Sequence, residues 1–313
     1  MADAVRVIPI ECKFGPISAF AYYVDAPEPA IIDTGVNISA SQDIEPTLAK
    51  HGIRMEDIRW ILLTHGHVDH LGGAYEVWEK TGRQAKVVIP KKEARLLRDK
   101  NEHLVDYKSL QGKFITDPSI QEKHITMLTT DIGDNIEPDL EVVEGDSINL
   151  GGDITLKVIE TPGHSIGSVT FVLEGLNWAF AADAVQMYGG FSGMPTIENP
   201  CLYRKSVQRL LEEVRPNRLF LGHPFRKSNG DMENAQIDGD KVATVLQASL
   251  DRDAKLRDVI RRHLTSGLPS EQHELYGPFG SIAEEIGYTG DPRNLPCSFF
   301  VTMHGYYEDL INS

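Results

Sequence analysis

Cysteine is scarce and poorly spaced for a structural role: Cys12, Cys201 and Cys297 are odd in number, far apart and form no C-x-x-C pair. This excludes a disulfide framework and a cysteine-ligated zinc site, and leaves free thiols. Long apolar runs are missing as well. No stretch approaches the roughly 18 residues of a membrane span, and Met1 to Pro9 carries Asp3 and Arg6 where a secretory leader keeps an unbroken apolar core. A cytoplasmic protein with no membrane partner is the expectation. Basic residues are outnumbered, 31 against 46 acidic, for a formal charge of −15. That excess repels polyphosphate backbones, so no nucleic-acid partner is expected. The local clusters Arg215 to Arg218 and Arg252 to Arg262 read as solvated helix faces.

What is present is an ordinary globular balance over 313 residues, 41% hydrophobic and 25% charged, enough for one large α/β domain or a main domain with a helical appendage. Short apolar runs rich in β-branched residues read as strands at Ala19 to Val24, Ala30 to Ile32, Trp60 to Leu63, Lys86 to Ile89, Ile154 to Ile159, Ser168 to Leu173, Trp178 to Ala181 and Arg218 to Leu221. Helical patterns lie between them at Ser39 to His51, Gly73 to Lys80, Lys91 to Arg98 and Tyr203 to Val214. The alternation predicts a mixed α/β fold with sheets covered by helices. Two stretches break the rhythm. Asn101 to Glu144 is polar, contains Pro118 and Pro138, and reads as an inserted loop-and-helix segment over a pocket or at a partner contact. Beyond about Pro224 the pattern turns helical, at Gln236 to Leu250, Ala254 to Leu264, Ser281 to Ile286 and Phe299 to Ile311. There is no internal repeat and no low-complexity tract.

Chemistry concentrates after the Trp60 strand, in Thr64-His65-Gly66-His67-Val68-Asp69-His70-Leu71-Gly72-Gly73. A rigid strand end feeding a loop can turn several side chains toward one point. His65 and His67 can converge on one ion while Asp69 and His70 point to a neighbouring one. Imidazoles with a carboxylate suit zinc, iron or manganese rather than calcium or magnesium.

This segment resembles the H-x-H-x-D-H signature of the metallo-β-lactamase superfamily, and the resemblance extends over roughly residues 5 to 225. Thr161-Pro162-Gly163-His164 is similar to that family's T-P-G-H segment. Asp183 follows a hydrophobic strand where the family places a bridging aspartate, and His223 in Leu221-Gly222-His223-Pro224 matches its last histidine. Asp33-Thr34-Gly35 resembles a D-T-G turn whose aspartate supports a ligand rather than being one. The resemblance implies a four-layer αββα sandwich as residues 1–225, with an insert at about 101–144, followed by a helical C-terminal extension over 226–313. It implies two divalent metal ions, zinc first with iron or manganese as alternatives. One ion takes His65, His67 and His164, the other takes Asp69, His70 and His223, and Asp183 bridges both. Two cations about 3.5–4 Å apart generate a hydroxide nucleophile near neutral pH, with Asp69 also placed as a catalytic group that orients the water or accepts its proton.

The substrate is less legible, because one fold serves many electrophiles. Lactonases of the family place a tyrosine three positions after the bridging aspartate, where this chain has Gln186, with Tyr188 two residues on. Glyoxalase II-type thioesterases use basic C-terminal residues, for which Arg252, Lys255 and Arg257 are candidates beside a plain exposed helix face. Gln186, Tyr188, Phe191 and Met194 are the expected pocket wall, since they directly follow a ligand and combine glycine mobility with apolar contact. The expectation is hydrolysis of a small lactone or ester. The alternatives are a glyoxalase II-type thioester hydrolase, an aryl ester or ether hydrolase, an iron-dependent oxidoreductase and a non-catalytic metal-binding regulator. The apolar positions of the last helix, from Phe299 to Ile311, cap the pocket, form a homodimer interface or simply pack in the core.

Overall fold

Strict side-chain alternation sorts the strands' apolar residues into separate hydrophobic layers. In β2 (Ile17–Asp25), Tyr22 and Val24 face one layer while Ala21 and Tyr23 face another. The same division holds in β3 (Ala30–Ile32), β4 (Trp60–Leu62), β5 (Lys86–Pro90), β9 (Val169–Leu173), β10 (Trp178–Ala182) and β11 (Arg218–Leu221). Each of these strands is apolar on both faces, so each sheet must be covered twice. The computed structural model, which describes residues 5–190, 193–264, 267–294 and 298–312, shows how.

Two six-stranded sheets stack face to face. The first runs β1-β2-β3-β4-β5-β6, with β1 at Arg6–Phe14 and β6 at Leu140–Val142; the second runs β12-β11-β10-β9-β8-β7, with β7 at Ser147–Asn149, β8 at Thr155–Glu160 and β12 at Gln236–Asp238. Between them Phe180 and Phe220 stack at 4.4 Å, and the Tyr22 ring meets both edge-on. Tyr22 spans the gap, its hydroxyl donating to the Leu221 carbonyl of β11 with the Ala235 carbonyl, just before β12, also within hydrogen-bond reach. The outer face of the first sheet is covered by α1 (Glu45–Ala49), α2 (Val68–Leu71), α3 (Ala74–Lys80) and α4 (Ala94–Arg98). After the insert helices α5 (Glu102–Ser109) and α6 (Pro118–Thr130), the second sheet is covered by α7 (Pro200–Arg209), α8 (Asp240–Leu264), α9 (Gly280–Glu285) and α10 (Ser298–Ile311). This is the αβ/βα sandwich with a helical C-terminal extension. No helix among the described residues is long and apolar enough to cross a membrane.

Local chemistry sets the element ends near the site. Asp117 accepts the Ser119 amide at the start of α6, and Asn199 accepts that of Leu202 at the start of α7. Each is followed by proline at the first helical position, where no amide is needed.

The differences from expectation have identifiable causes. β1 escapes notice because Pro9, Glu11 and Lys13 occupy its exposed alternate positions; Ile8, Ile10, Cys12 and Phe14 are buried, and its place at a sheet edge tolerates the proline. The helix expected from Gln236 begins only at Asp240, since Gln236–Asp238 pairs with β11 and Gly239 turns at φ +59°. The expected break near residue 251 is absent. Arg252 and Asp253 lie on the buried face of α8, where Asp253 binds Arg204 and the Tyr306 hydroxyl, so one helix runs through. Cys12 is buried and Cys201 half-buried, both as free thiols, and Cys297 lies outside the described residues.

Candidate metal centre

Both sheets deliver donors to the same edge of the sandwich. At the end of β4 the chain passes Thr64 and His65, squeezes through Gly66 and turns into α2. A Cβ on Gly66 would stand 2.3 Å from Leu96 Cδ1 and 2.6 Å from Glu93 Oε2, so a larger residue between His65 and His67 would have to push both side chains aside. The short α2 then carries Asp69 and His70 on its buried side. From the second sheet, His164 follows β8, Asp183 follows β10 and His223 follows β11. The register of β10 against β11 shifts between Phe180 and Ala182, and Ala182 takes φ +41°, an unusual left-handed value for a side-chain-bearing residue. That local irregularity turns Asp183 inward.

All seven expected donors meet. Three groups hold ligand atoms within 4.8 Å of one another: His65, His67 and His164; His65, His70 and Asp183; and Asp69, His70 and His223. The spacings are short for unbridged groups. His65 Nε2 lies 3.1 Å from His164 Nε2, and His70 Nε2 lies 3.2 Å from His223 Nε2. His223 Nε2 stands 3.3 Å from both Asp69 Oδ2 and Asp183 Oδ2, and His164 Nε2 is 3.4 Å from Asp183 Oδ2. A tetrahedron built on bonds of about 2.0–2.1 Å has edges of about 3.3–3.4 Å, so these are the spacings of donors sharing a zinc-sized ion. Asp183 Oδ1 is buried without a hydrogen-bond partner among the described residues, its neighbour His70 Nε2 being 3.5 Å away. A buried, unsatisfied carboxylate oxygen amid imidazoles is what a cation would complete. The residues therefore fit a di-metal centre.

A further layer fixes the rings. His70 Nδ1 lies 2.9 Å from Asp33 Oδ2, whose carboxylate also takes the Thr64 amide at 2.8 Å. His65 Nδ1 meets Thr64 Oγ1, His164 Nδ1 the Thr196 carbonyl and His223 Nδ1 the Ser18 carbonyl. His67 Nε2 faces Glu198 Oε1 at 3.5 Å. Each imidazole is thus oriented by a neighbouring polar group. The support from Asp33 was legible in the D-T-G turn. Glu198 was not, because it stands in an otherwise featureless Ile197-Glu198-Asn199-Pro200 stretch.

The electrostatics split the histidines. Burial and the like-charged rings of His70 and His164 push His65 well below its ordinary value, and burial takes His164 down to about 3. Burial also works against charge at His67 and His223, but Glu198 overcomes it for the first and Asp183 with Asp69 for the second, raising each to about 9. Both are therefore protonated at pH 7 in metal-free protein, and coordination must displace those protons. Burial is overcome at His70 as well, which Asp183, Asp33 and Asp69 raise, so uptake of Zn²⁺ at pH 7 is expected to release protons, with apparent affinity climbing as pH rises toward 9. Base consumption during a metal titration in weak buffer checks this; uptake without proton release at pH 7 would contradict it.

Above the donors lies a cavity of about 150 Å³. His67, Asp69, His164, Asp183 and His223 form its floor, and the insert supplies one wall through Tyr107, Leu110, Gln111 and Met127. Val301 and Ser298 of α10 close another side, so the last helix does cap the pocket, while Phe299, Phe300, Met303 and Tyr306 pack in the core. Gln186 and Met194 line the cavity as expected. Gln186 also braces the bridging loop, accepting the Thr196 amide at 2.6 Å and donating to the Asp183 carbonyl at 3.2 Å. Tyr188 does not line it; the ring turns away to lie 4.9 Å from the Arg252 guanidinium. Phe191 lies outside the described residues. Arg252 is buried rather than solvated, with one guanidinium nitrogen donating to the Gly193 carbonyl, whereas Lys255 and Arg257 are exposed. None of the three lines the cavity.

The family model described as metallo-beta-lactamase superfamily matches residues 14–223. A hydroxyacylglutathione hydrolase from Rhodopseudomonas palustris (strain HaA2) is 27% identical over 303 residues, covering 93% of this chain and 94% of the relative. Another, from Rhodopseudomonas palustris (strain BisB5), is 29% identical over 238 residues, covering 73% and 69%. Among solved structures, a metallo-beta-lactamase family protein from Thermus thermophilus aligns with a TM-score of 0.69 at 20% identity, covering 98% of this chain and 94% of that one. A subclass B3 metallo-beta-lactamase of Bradyrhizobium japonicum aligns with a TM-score of 0.53 at 23% identity, covering 80% and 91%. At such identities the two structures speak to the fold alone.

Proposed function

Because the chain belongs to the metallo-beta-lactamase superfamily, we propose that it is a binuclear hydrolase acting on a small lactone or ester. The observation that carries this is the clustering of three overlapping ligand groups, with Asp183 within 3.4 Å of both His164 and His223, at the floor of a mainly apolar cavity. Two divalent cations held there supply Lewis acidity and bring the pKa of water down from about 15.7 toward neutrality. The chain supplies the rest. His65, His67 and His164 hold one side, Asp69, His70 and His223 the other, and Asp183 neutralises charge between them. Asp69 opens onto the cavity and is the carboxylate placed to receive the proton lost by the attacking water. Phe14, Leu96, Leu128, Met194 and Phe225 seat the organic part and keep bulk solvent off the carbonyl.

A thioester is the second reading, favoured by the near full-length similarity to proteins named hydroxyacylglutathione hydrolase. The cavity itself offers no lysine or arginine among the described residues to hold a glutathione carboxylate. Elemental analysis followed by a panel of lactones, aryl esters and acylglutathiones decides. The expected result is about two metal ions per chain and acid release from lactones or esters. Acylglutathiones hydrolysed about 100-fold faster than any ester would transfer the assignment to the second reading, and oxygen consumption by an iron-loaded protein would remove it from hydrolysis.

A further inference from the structure

The metal centre has two open sides. On one lies the apolar cavity; on the other, sharing Ile17, Gly190 and His223 with it, lies a groove of about 420 Å³ between the β1–β2 turn and the segment after His223. The groove differs in character. Lys13 and Arg226 line it, and neither side chain forms an ion pair with a carboxylate among the described residues. The acid in its lining, Glu11, is engaged by the Ser18 hydroxyl at 2.7 Å. Arg226 is held in place by its backbone, its amide donating to the Gly189 carbonyl at 2.9 Å and its carbonyl accepting the Tyr188 amide at 3.2 Å. Its guanidinium makes a single long contact, 3.3 Å to the Gly230 carbonyl, and keeps most of its donors free. Lys13 stands opposite Ser18 across the hairpin, and the Ser18 carbonyl is what orients His223. Two unpaired cations in a chain of net charge −15, flanking an expected ligand, are conspicuous.

Resting on the hydrolase reading above, we propose that Lys13 and Arg226 form an anion subsite that seats a carboxylate carried by the substrate, while the apolar arm occupies the insert-lined cavity and the scissile carbonyl lies between. The substrate class is therefore a monoanionic ester or thioester with one apolar end and one carboxylate end. The carboxylate belongs either to the acyl chain of an ester or to a peptide-like leaving group, and matched probes separate the two. 4-Nitrophenyl hydrogen glutarate and its methyl ester differ only in the acyl-side charge. S-Lactoylglutathione, monoanionic overall with two carboxylates and one ammonium on its leaving group, differs from its diethyl ester only in having those carboxylates free.

The Lys13→Ala/Arg226→Ala double variant is expected to raise KM at least about tenfold for one of the two charged probes, at little cost in kcat, since each lost contact to a charge is of that order. Its effect on the matching neutral ester is expected to stay within about twofold. For wild type, KM on the charged probe rises with salt, and for the double variant that dependence flattens. Equal losses on the charged and neutral members of both pairs, or no loss on any, would overturn the subsite. Glutarate binding by calorimetry to the protein as purified tests it without turnover: binding about tenfold weaker in the double variant supports it and equal binding refutes it. A wild-type protein that hydrolyses none of the four probes yet shows that difference would sink the hydrolase reading and leave the anion site standing.

Discussion

Asp183→Asn is expected to give a folded protein that has lost about a thousandfold or more in kcat/KM and no longer retains two metal ions through gel filtration. Of the seven donors only Asp69 and Asp183 carry negative charge, so the substitution leaves one carboxylate to balance two divalent cations a few ångströms apart. Burial alone would raise the Asp183 carboxyl, yet His223, His164 and His70 hold it far below the ordinary carboxylate range, so it is ionised at every working pH. Asparagine keeps the shape but offers N–H donors toward imidazole nitrogens. A loss of several kcal/mol of transition-state stabilisation corresponds to the stated factor. Metal counting and steady-state kinetics on one preparation check it; two tightly held ions with near-normal turnover would show that Asp183 does not bridge.

Gly222→Ala tests the same carboxylate from behind. A Cβ at Gly222 would lie 1.9 Å from Asp183 Oδ1 and 3.0 Å from His70 Cε1, with the Ala182 carbonyl carbon equally close. Gly222 is not in the left-handed region, so alanine fits its backbone and the conflict is purely one of space. On the crowded side sits sheet backbone, fixed in part by the Phe20 amide donating to the Gly222 carbonyl at 2.7 Å, and what yields is the Asp183 side chain. We expect a fold destabilised by about 1–3 kcal/mol, a fall in metal content and a drop in kcat of about 100-fold or more, since one ångström of misplacement at a reacting centre has that effect. A metal content of two with activity within about threefold would place the carboxylate elsewhere. Denaturant melts alongside metal analysis separate damage to the site from damage to the sheet.

Sequence patterns were readable where one physical demand dominated. Doubly covered strands such as Trp60–Leu62 and Val169–Leu173 must be apolar on both faces and so stand out. Four of the donors were readable as one cluster after the Trp60 strand, and His164, Asp183 and His223 only through the resemblance of their segments to the family's ordered motifs, since a lone histidine or aspartate after a strand carries little signal by itself. β1 was not readable, since its polar face looks like a loop until its partner is known. The continuity of α8 was hidden by Asp251-Arg252-Asp253, of which Arg252 and Asp253 are buried, Asp253 by pairing with Arg204 and Tyr306, which are distant in the chain. Pocket residues were the least accessible. Gln186 and Tyr188 are two positions apart in one loop, yet one faces the cavity and the other packs on Arg252, and nothing local distinguishes them. Glu198 and Gln111 gain their positions from a helix cap and from an insert.

His65, His67, Asp69 and His70 hang from the first sheet; His164, Asp183 and His223 hang from the second. Any ion that binds donors from both groups adds a cross-link between layers that Tyr22, the Glu93 carboxylate on Ser165 and Gly167, the His223 ring on the Ser18 carbonyl and a few backbone contacts already join at that edge. Ligation and folding then draw on the same free energy. Metal-loaded protein is therefore expected to resist proteolysis longer than the metal-free chain.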